Sequence, residues 1–260
     1  SRSIPVERCR EILREGLVSE EFWPAMHAAE ALTLAGHGNE VLAALKARSE
    51  TDDQKRCGLA RERYRAGDRT QAAVLRKILN DPTSNGRTHA AESLFKIGVI
   101  GDGQALQAAL TQNEDRKLKL MAAAALIRSG QREQIAIVRN HLSHNETDIR
   151  MIAAWVLGQV GSEADIARLR EQGRKEQEPL AQAYFTHAMA LLGDPVARKQ
   201  LAANLRSENQ AVRTYAADFA GLARLQEVTP ILITLLDDPT QDARIRAAEA
   251  LLLIHGTGSK

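Results

Sequence analysis

Apolar and small residues recur three or four positions apart along almost the whole chain, the spacing of one buried helix face. Ile149, Ala153, Leu157 and Val160 form such a stripe, and so do Ile135, Val138 and Leu142 just before it. Leu232, Leu235 and Leu236 repeat the pattern near the end of the chain. Turn-forming clusters separate the stripes, as in Asn80-Asp81-Pro82-Thr83-Ser84-Asn85 and Asp237-Asp238-Pro239-Thr240. No stretch alternates with period two. The pattern therefore predicts helix, turn, helix throughout, with paired alanines such as Ala153-Ala154 and Ala216-Ala217 letting helix backbones approach closely.

A second period lies above the first. Gly36, Gly67, Gly98, Gly130, Gly161 and Gly193 are spaced 31 or 32 residues apart, and Arg224 and His255 continue the phase. A repeat of that length is one helical hairpin, which cannot bury its apolar face alone and does so by stacking on its neighbours. The expected architecture is all-α: one solenoid domain over residues 1–260, an elongated body of about eight units. Their expected bounds are about 1–36, 37–67, 68–98, 99–130, 131–161, 162–193, 194–224 and 225–256.

The fifth unit carries the pattern most clearly, as Asp148-Ile149-Arg150-Met151-Ile152-Ala153-Ala154-Trp155-Val156-Leu157-Gly158-Gln159-Val160-Gly161. The seventh follows it with Val212-Arg213-Thr214-Tyr215-Ala216-Ala217-Asp218-Phe219-Ala220, and the third with Gly86-Arg87-Thr88-His89-Ala90-Ala91-Glu92-Ser93-Leu94-Phe95-Lys96-Ile97-Gly98. This V-R-x-x-A-A-x-A-L-G-x-I-G pattern resembles the short HEAT-like repeats of the phycobilisome-lyase type. The resemblance covers nearly the whole chain, with the first, second and sixth units departing most. It implies a right-handed αα superhelix with a concave groove. It implies no single activity, because such repeats build scaffolds, lyases and hydroxylases alike.

Composition narrows the function classes. Aromatic residues make up 3% of the chain and the formal net charge is +2, too little to predict nucleic-acid or membrane binding by itself. Cys9 and Cys57 cannot form a disulfide framework, and free thiols fit a reducing compartment. No apolar run reaches the length of a membrane helix. A cytoplasmic location is expected, with an exported form whose signal has been removed left open. No cofactor is expected.

Basic residues open most second helices, namely Arg56, Arg87, Lys119, Arg150, Arg213 and Arg244. They recur by phase rather than clustering, so they read as a ladder tying down turns and carbonyls. The groove is read from positions 10, 9, 6 and 2 residues before each anchor. Its N-terminal half is polar, with His27, Glu30, Arg61, Arg65, His89, Glu92 and Lys96. Its C-terminal half gathers Trp155, Tyr184, His187 and Tyr215, with Asp218 beside them. Aromatic side chains with polar tips are typical interface anchors. These twelve residues form the expected partner-binding groove, for a protein or peptide, with no membrane and no strong nucleic-acid partner.

Other chemistry fits less well. In HEAT-like hydroxylases, the resemblance would imply two irons held by adjacent His-Glu dipeptides. Here Ala28 and Ala90 follow the histidines, and the two His-x-x-Glu pairs lie two units apart, roughly twice the 8–10 Å between packed helices. Cys57, beside Arg56 and Arg61, is a candidate nucleophile if those cations lower its pKa. The alternative function is thus a bilin-lyase-like enzyme acting in the N-terminal groove, and a third is nucleic-acid binding. Unit eight is unusually apolar for a terminal repeat, with Ile231, Leu232, Ile233, Leu235 and Leu236 followed by Leu251, Leu252, Leu253 and Ile254. This end is expected to be covered, by self-association or by a further domain.

Overall fold

The computed structural model describes residues 4–111 and 115–256, and among these it contains sixteen α-helices, three short 3-10 turns and no strand. The helices alternate between an outer and an inner layer. The outer ones are α1 (Val6–Leu17), α3 (Gly38–Leu45), α5 (Gln71–Asn80), α7 (Gln104–Leu110), α9 (Ile135–His141), α11 (Ile166–Gly173), α13 (Pro195–Asn204) and α15 (Thr229–Leu235). The inner ones are α2 (Phe22–Leu34), α4 (Asp53–Arg65), α6 (Arg87–Ile97), α8 (Arg116–Arg128), α10 (Thr147–Val160), α12 (Pro179–Leu191), α14 (Gln210–Leu222) and α16 (Gln241–His255). This is the all-α solenoid of helical hairpins expected from the double periodicity. No helix among the described residues is long and apolar enough to cross a membrane.

Local chemistry sets the helix ends. Asp52, Asp115, Asp194 and Asn209 each accept a backbone N–H from the first turn of the helix they open. At the other end the repeating glycine supplies the left-handed conformation that stops the helix, as at Gly36, Gly67, Gly98, Gly130 and Gly193. Two anchors behave differently. Gly161 is extended, with φ near −76°, and the left-handed residue after α16 is Gly256 rather than His255. Arg224 takes the left-handed conformation despite its side chain, with φ 50°.

The phase-locked cations form the expected ladder. Arg150 reaches forward to Glu176 at 2.6 Å and back to the carbonyls of His144 and Asn145. Arg213 does the same with Asp238 at 2.7 Å and the carbonyls of Ser207 and Glu208. Arg244 holds the carbonyls of Asp238 and Pro239, and Arg87 that of Leu79. A second series on outer helices joins Arg139 to Asp165 and Arg170 to Asp194. The carboxylate links tie one hairpin to the next, and the carbonyl links tie down the turn within a hairpin.

Inner helices pack on inner helices all the way round, and the series closes on itself. The last helix, α16, lies against α14 on one side and against α1 and α2 on the other. Where the ends meet, His27 Nδ1 and Asp242 Oδ1 are 2.6 Å apart, and Ser19 Oγ donates to Gln241 Oε1 at 3.1 Å. Gly16 permits the close approach: a Cβ there would sit 2.8 Å from Ile245 Cδ1. One contiguous apolar core therefore contains residues from α1–α3 and from α13–α16 together. The molecule is a closed ring, not the elongated body the repeats alone suggest. The apolar face of unit eight is covered, and the cover is the chain's own first hairpin. Leu232, Leu235, Leu236, Leu251, Leu252 and Ile254 are buried in the single chain.

Candidate functional site

Closure turns the expected groove into the inner wall of a ring, and the wall divides into two arcs. The first is charged and comes from α2, α4, α6, α14 and α16. Arg65 bonds Glu30 at 2.7 Å and Glu62 at 3.1 Å, and Arg61 bonds the same Glu62 at 2.6 Å. Lys96 pairs with Glu92 at 2.7 Å. Arg246 joins Asp218 at 3.1 Å to Glu249 at 2.9 Å. The residues expected in a polar N-terminal groove meet residues from the far end of the chain where His27 contacts Asp242 and Arg246 acts on Glu30, and Asp218 joins that charged set through Arg246 while still acting on Tyr184.

Six carboxyl groups (Glu30, Glu62, Glu92, Asp218, Asp242 and Glu249) here face four permanent cations, Arg61, Arg65, Lys96 and Arg246. Burial raises Glu30, but Arg65, Lys96, Arg246 and Arg61 outweigh it and hold the carboxyl well below its usual range. Burial likewise raises Glu92, and Lys96 and Arg61 bring it down to about 2. Glu249 goes the other way. Burial pushes it up to about 8, against the pull of Arg246, and repulsion from Glu30 and Asp218 adds to the rise. A carboxyl of this kind keeps its proton at neutral pH, which relieves part of the acidic excess.

His27 and His89 are both held below the ordinary histidine range, chiefly by burial. His27 is engaged by Asp242, while His89 stacks on Trp23 with ring centroids 5.8 Å apart. The two His-x-x-Glu pairs are thus occupied by separate partners. Cys57 is fully buried, and its Sγ–H points to the carbonyl of Gly86. Burial and the charge of Asp53 push its thiol up to about 12, despite Arg61 and Arg56. This corrects the expectation of a lowered pKa: the cations are present, but desolvation is the larger effect, and the thiolate an attacking sulfur needs is suppressed.

The second arc is apolar. Trp155 meets Phe95 edge to face at 5.5 Å, and Lys96 Nζ lies 5.4 Å from its ring centroid. Tyr184 packs on Tyr215 at 5.1 Å and on Phe219 at 5.8 Å. Tyr215 is 36% exposed, while Tyr184 and Trp155 are half-buried. His187 departs from the expectation. It is 0% exposed, packs on Phe219, and accepts a hydrogen bond at Nε2 from the Asn204 amide. Burial takes its pKa down to about 3, so it is a neutral core residue rather than a surface contact. Arg61, 3% exposed, is likewise sealed beneath the charged arc.

At the C-terminal ends of the inner helices α6 to α14 lies a cavity of about 430 Å³. Phe95, Arg128, Gly158, Gln159, Val160, Leu191 and Leu222 line it. Arg128, Gln159, Leu191 and Leu222 occupy the same position of successive repeats, two residues before each anchor. They belong to the groove set read from the repeat, yet nothing in their spacing marks a cavity. Glu62 escaped the sequence reading altogether. Its signal was available, because the corresponding positions of the other units hold Ala31, Ser93, Ala125, Val156, Ala188, Phe219 and Ala250.

A family model for HEAT repeats matches residues 103–190. Among solved structures, the complex of CpcE and CpcF of phycocyanin lyase from Nostoc sp. resembles the chain with a TM-score of 0.51 at 16% identity, covering 99% of this chain and 96% of that one. Human deoxyhypusine hydroxylase aligns with a TM-score of 0.43 at 20% identity, over 96% of this chain and 97% of that one. An engineered protein aligns with a TM-score of 0.39 at 17% identity, over 95% and 78% of the two chains. Curated protein sequences give no match. At 16% identity the likeness to the lyase complex speaks for the fold alone.

Proposed function

We propose that this chain, whose residues 103–190 match a family model for HEAT repeats, is a non-catalytic binding module that holds a protein or peptide segment against the aromatic arc of its inner wall. The observation that carries this reading is the run of Trp155, Tyr184 and Tyr215 on three consecutive inner helices, with Tyr215 open to solvent. Aromatic side chains give large contact area at small entropic cost, and a few of them dominate most interfaces. The hairpin links and the closed core hold the wall rigid before binding, which lowers the ordering cost. The charged arc supplies a polar rim: its outer members Glu30, Arg65, Glu92 and Lys96 keep partial access to solvent.

The test is selection of binding peptides from a random library on the purified protein, followed by affinity measurement. Replacing Trp155 and Tyr215 together by alanine should weaken the selected peptides roughly thirtyfold or more, the loss expected for central anchors. Selected peptides that bind the double variant equally well would sink the reading. Retention on DNA that collapses with added salt would move it to nucleic acid.

A further inference from the structure

The cavity at the ends of the inner helices contains the one cation of the inner wall that has no carboxylate beside it among the described residues. Arg61, Arg65, Lys96 and Arg246 are each paired with an acid. Arg128 instead lies over the face of Phe95, its guanidinium carbon 5.4 Å from the ring centroid. Stacking of that kind leaves the guanidinium edge available, and that edge is the part that grips a carboxylate with two parallel hydrogen bonds. Burial, and then the charge of Arg65, pulls the pKa of Arg128 down, and the residue is exposed, within reach of a ligand.

The rest of the lining restricts what that anion carries. Val160, Leu191 and Leu222 make an apolar floor, with Leu222 45% exposed, and the side chain of Gln159 adds a neutral hydrogen-bonding group. One uncompensated positive charge suits a monoanion better than a doubly charged phosphate. The negative ends of the helix dipoles oppose any anion here, each with about half a charge. For α8 they are already answered by capping amides, since Ser129, Gly130 and Gln131 donate to the carbonyls of Ala125, Ile127 and Leu126.

Position then selects the source of the carboxylate. Phe95 touches Trp155 edge-on, and the helices that bring Leu191 and Leu222 to the cavity also carry Tyr184 and Tyr215. Leu191 and Leu222 lie seven residues, about two turns, beyond Tyr184 and Tyr215, so a segment on the aromatic arc can reach this cavity, whose volume is near the lower end of the roughly 300–1,000 Å³ usual for ligand sites. The space suits the end of a chain. We infer that the cavity receives the free C-terminal carboxylate of the bound peptide against Arg128, with the apolar side chain of its last residue on Val160, Leu191 and Leu222. This inference rests on the peptide-binding reading above and adds the part of the partner that is recognised.

The experiment compares one selected peptide as its free acid and as its C-terminal amide, by fluorescence anisotropy, on the full chain. On the wild type the amide should bind at least tenfold more weakly. Arg128→Gln should weaken the free acid by the same factor and become indifferent to amidation, and Arg128→Lys should retain part of the preference. Thermal melts of both variants establish that they are folded. Equal binding of acid and amide to the wild type overturns the inference. So does an Arg128→Gln protein that still prefers the acid. Binding that needs Tyr215 but ignores the terminus leaves the groove reading standing and removes only this one, whereas binding of neither form removes both. Decanoate that binds as tightly as the peptide would replace the peptide end with a free amphiphile and also overturn the assignment.

Discussion

The two arcs of the inner wall use opposite means of filling the same kind of space. Where units one to three meet units seven and eight, the wall is built from ion pairs between neighbouring inner helices, such as Arg65 with Glu30 and Arg246 with Asp218, and His27 with Asp242 bridges the seam itself. Across units four to seven it is apolar and aromatic, through Trp155, Tyr184 and Tyr215. An apolar contact tolerates sliding. A buried charge that slides out of register is left without its partner, at a cost of several kcal/mol. The charged arc lies where the two ends of the chain must meet in one register, and the apolar arc where successive repeats already fix each other. The difference separates the wall that closes the ring from the wall proposed to bind a partner.

The comparison breaks most sharply at Glu62, which is 0% exposed and joins Arg61 to Arg65. Glu62→Ala leaves the guanidinium of Arg61 buried without its carboxylate and should cost about 3–5 kcal/mol in chemical denaturation. A loss below about 1 kcal/mol would mean that the charged arc is well hydrated and does not hold the ring.

Protonation sharpens the same contrast. The folded-state pKa of Glu249, about 8, is above that of an unfolded glutamate. The native protein therefore binds the extra proton, and this group's contribution to stability is fully present below the unfolded pKa, near 4.3. That contribution is lost as pH rises through 8. Denaturation midpoints measured from pH 5 to pH 9 should fall across that window. Glu249→Gln, neutral at every pH, should flatten the fall. An unchanged slope in the variant would place the effect elsewhere.

At the seam itself, His27→Ala removes the contact with Asp242 and should cost about 1.5–3 kcal/mol, the range for a hydrogen bond to a charged group. Amide exchange should then speed up in α1 and α16 before it does in α8 or α10. Uniform acceleration around the ring would argue against a seam that opens first. The smallest effect has the opposite sign. Arg224 occupies the left-handed position that glycine fills in most other repeats, and Arg224→Gly should stabilise the protein by about 0.5–1 kcal/mol.

Much of this architecture was legible because repetition is a local property. Each unit of 31 or 32 residues carries its own apolar stripe and its own turn, most end on a glycine stop, and these suffice for helix, turn, helix. The ladder was legible for the same reason, since Arg150 and Glu176 belong to neighbouring hairpins. The candidate site was legible only as a set of inward positions. Spacing placed His187 with Tyr184 and Tyr215, but Asn204 and Phe219 close over it. It placed Cys57 beside two arginines without weighing the desolvation that raises its pKa.

The sequence by itself determined the helical hairpin, its period and the residues that face inward, because all of these follow from contacts within a unit or between adjacent units. Only the tertiary structure decided that the series closes. The small rotation between successive repeats adds up over the whole chain, and no single unit carries the sum. Closure brings Glu30 under the influence of Arg246, covers the apolar face of α16 with α1, and makes a ring wall out of a groove. The ionisation of Glu249 and the cover over unit eight follow from that sum, and so do the two arcs facing each other across the ring.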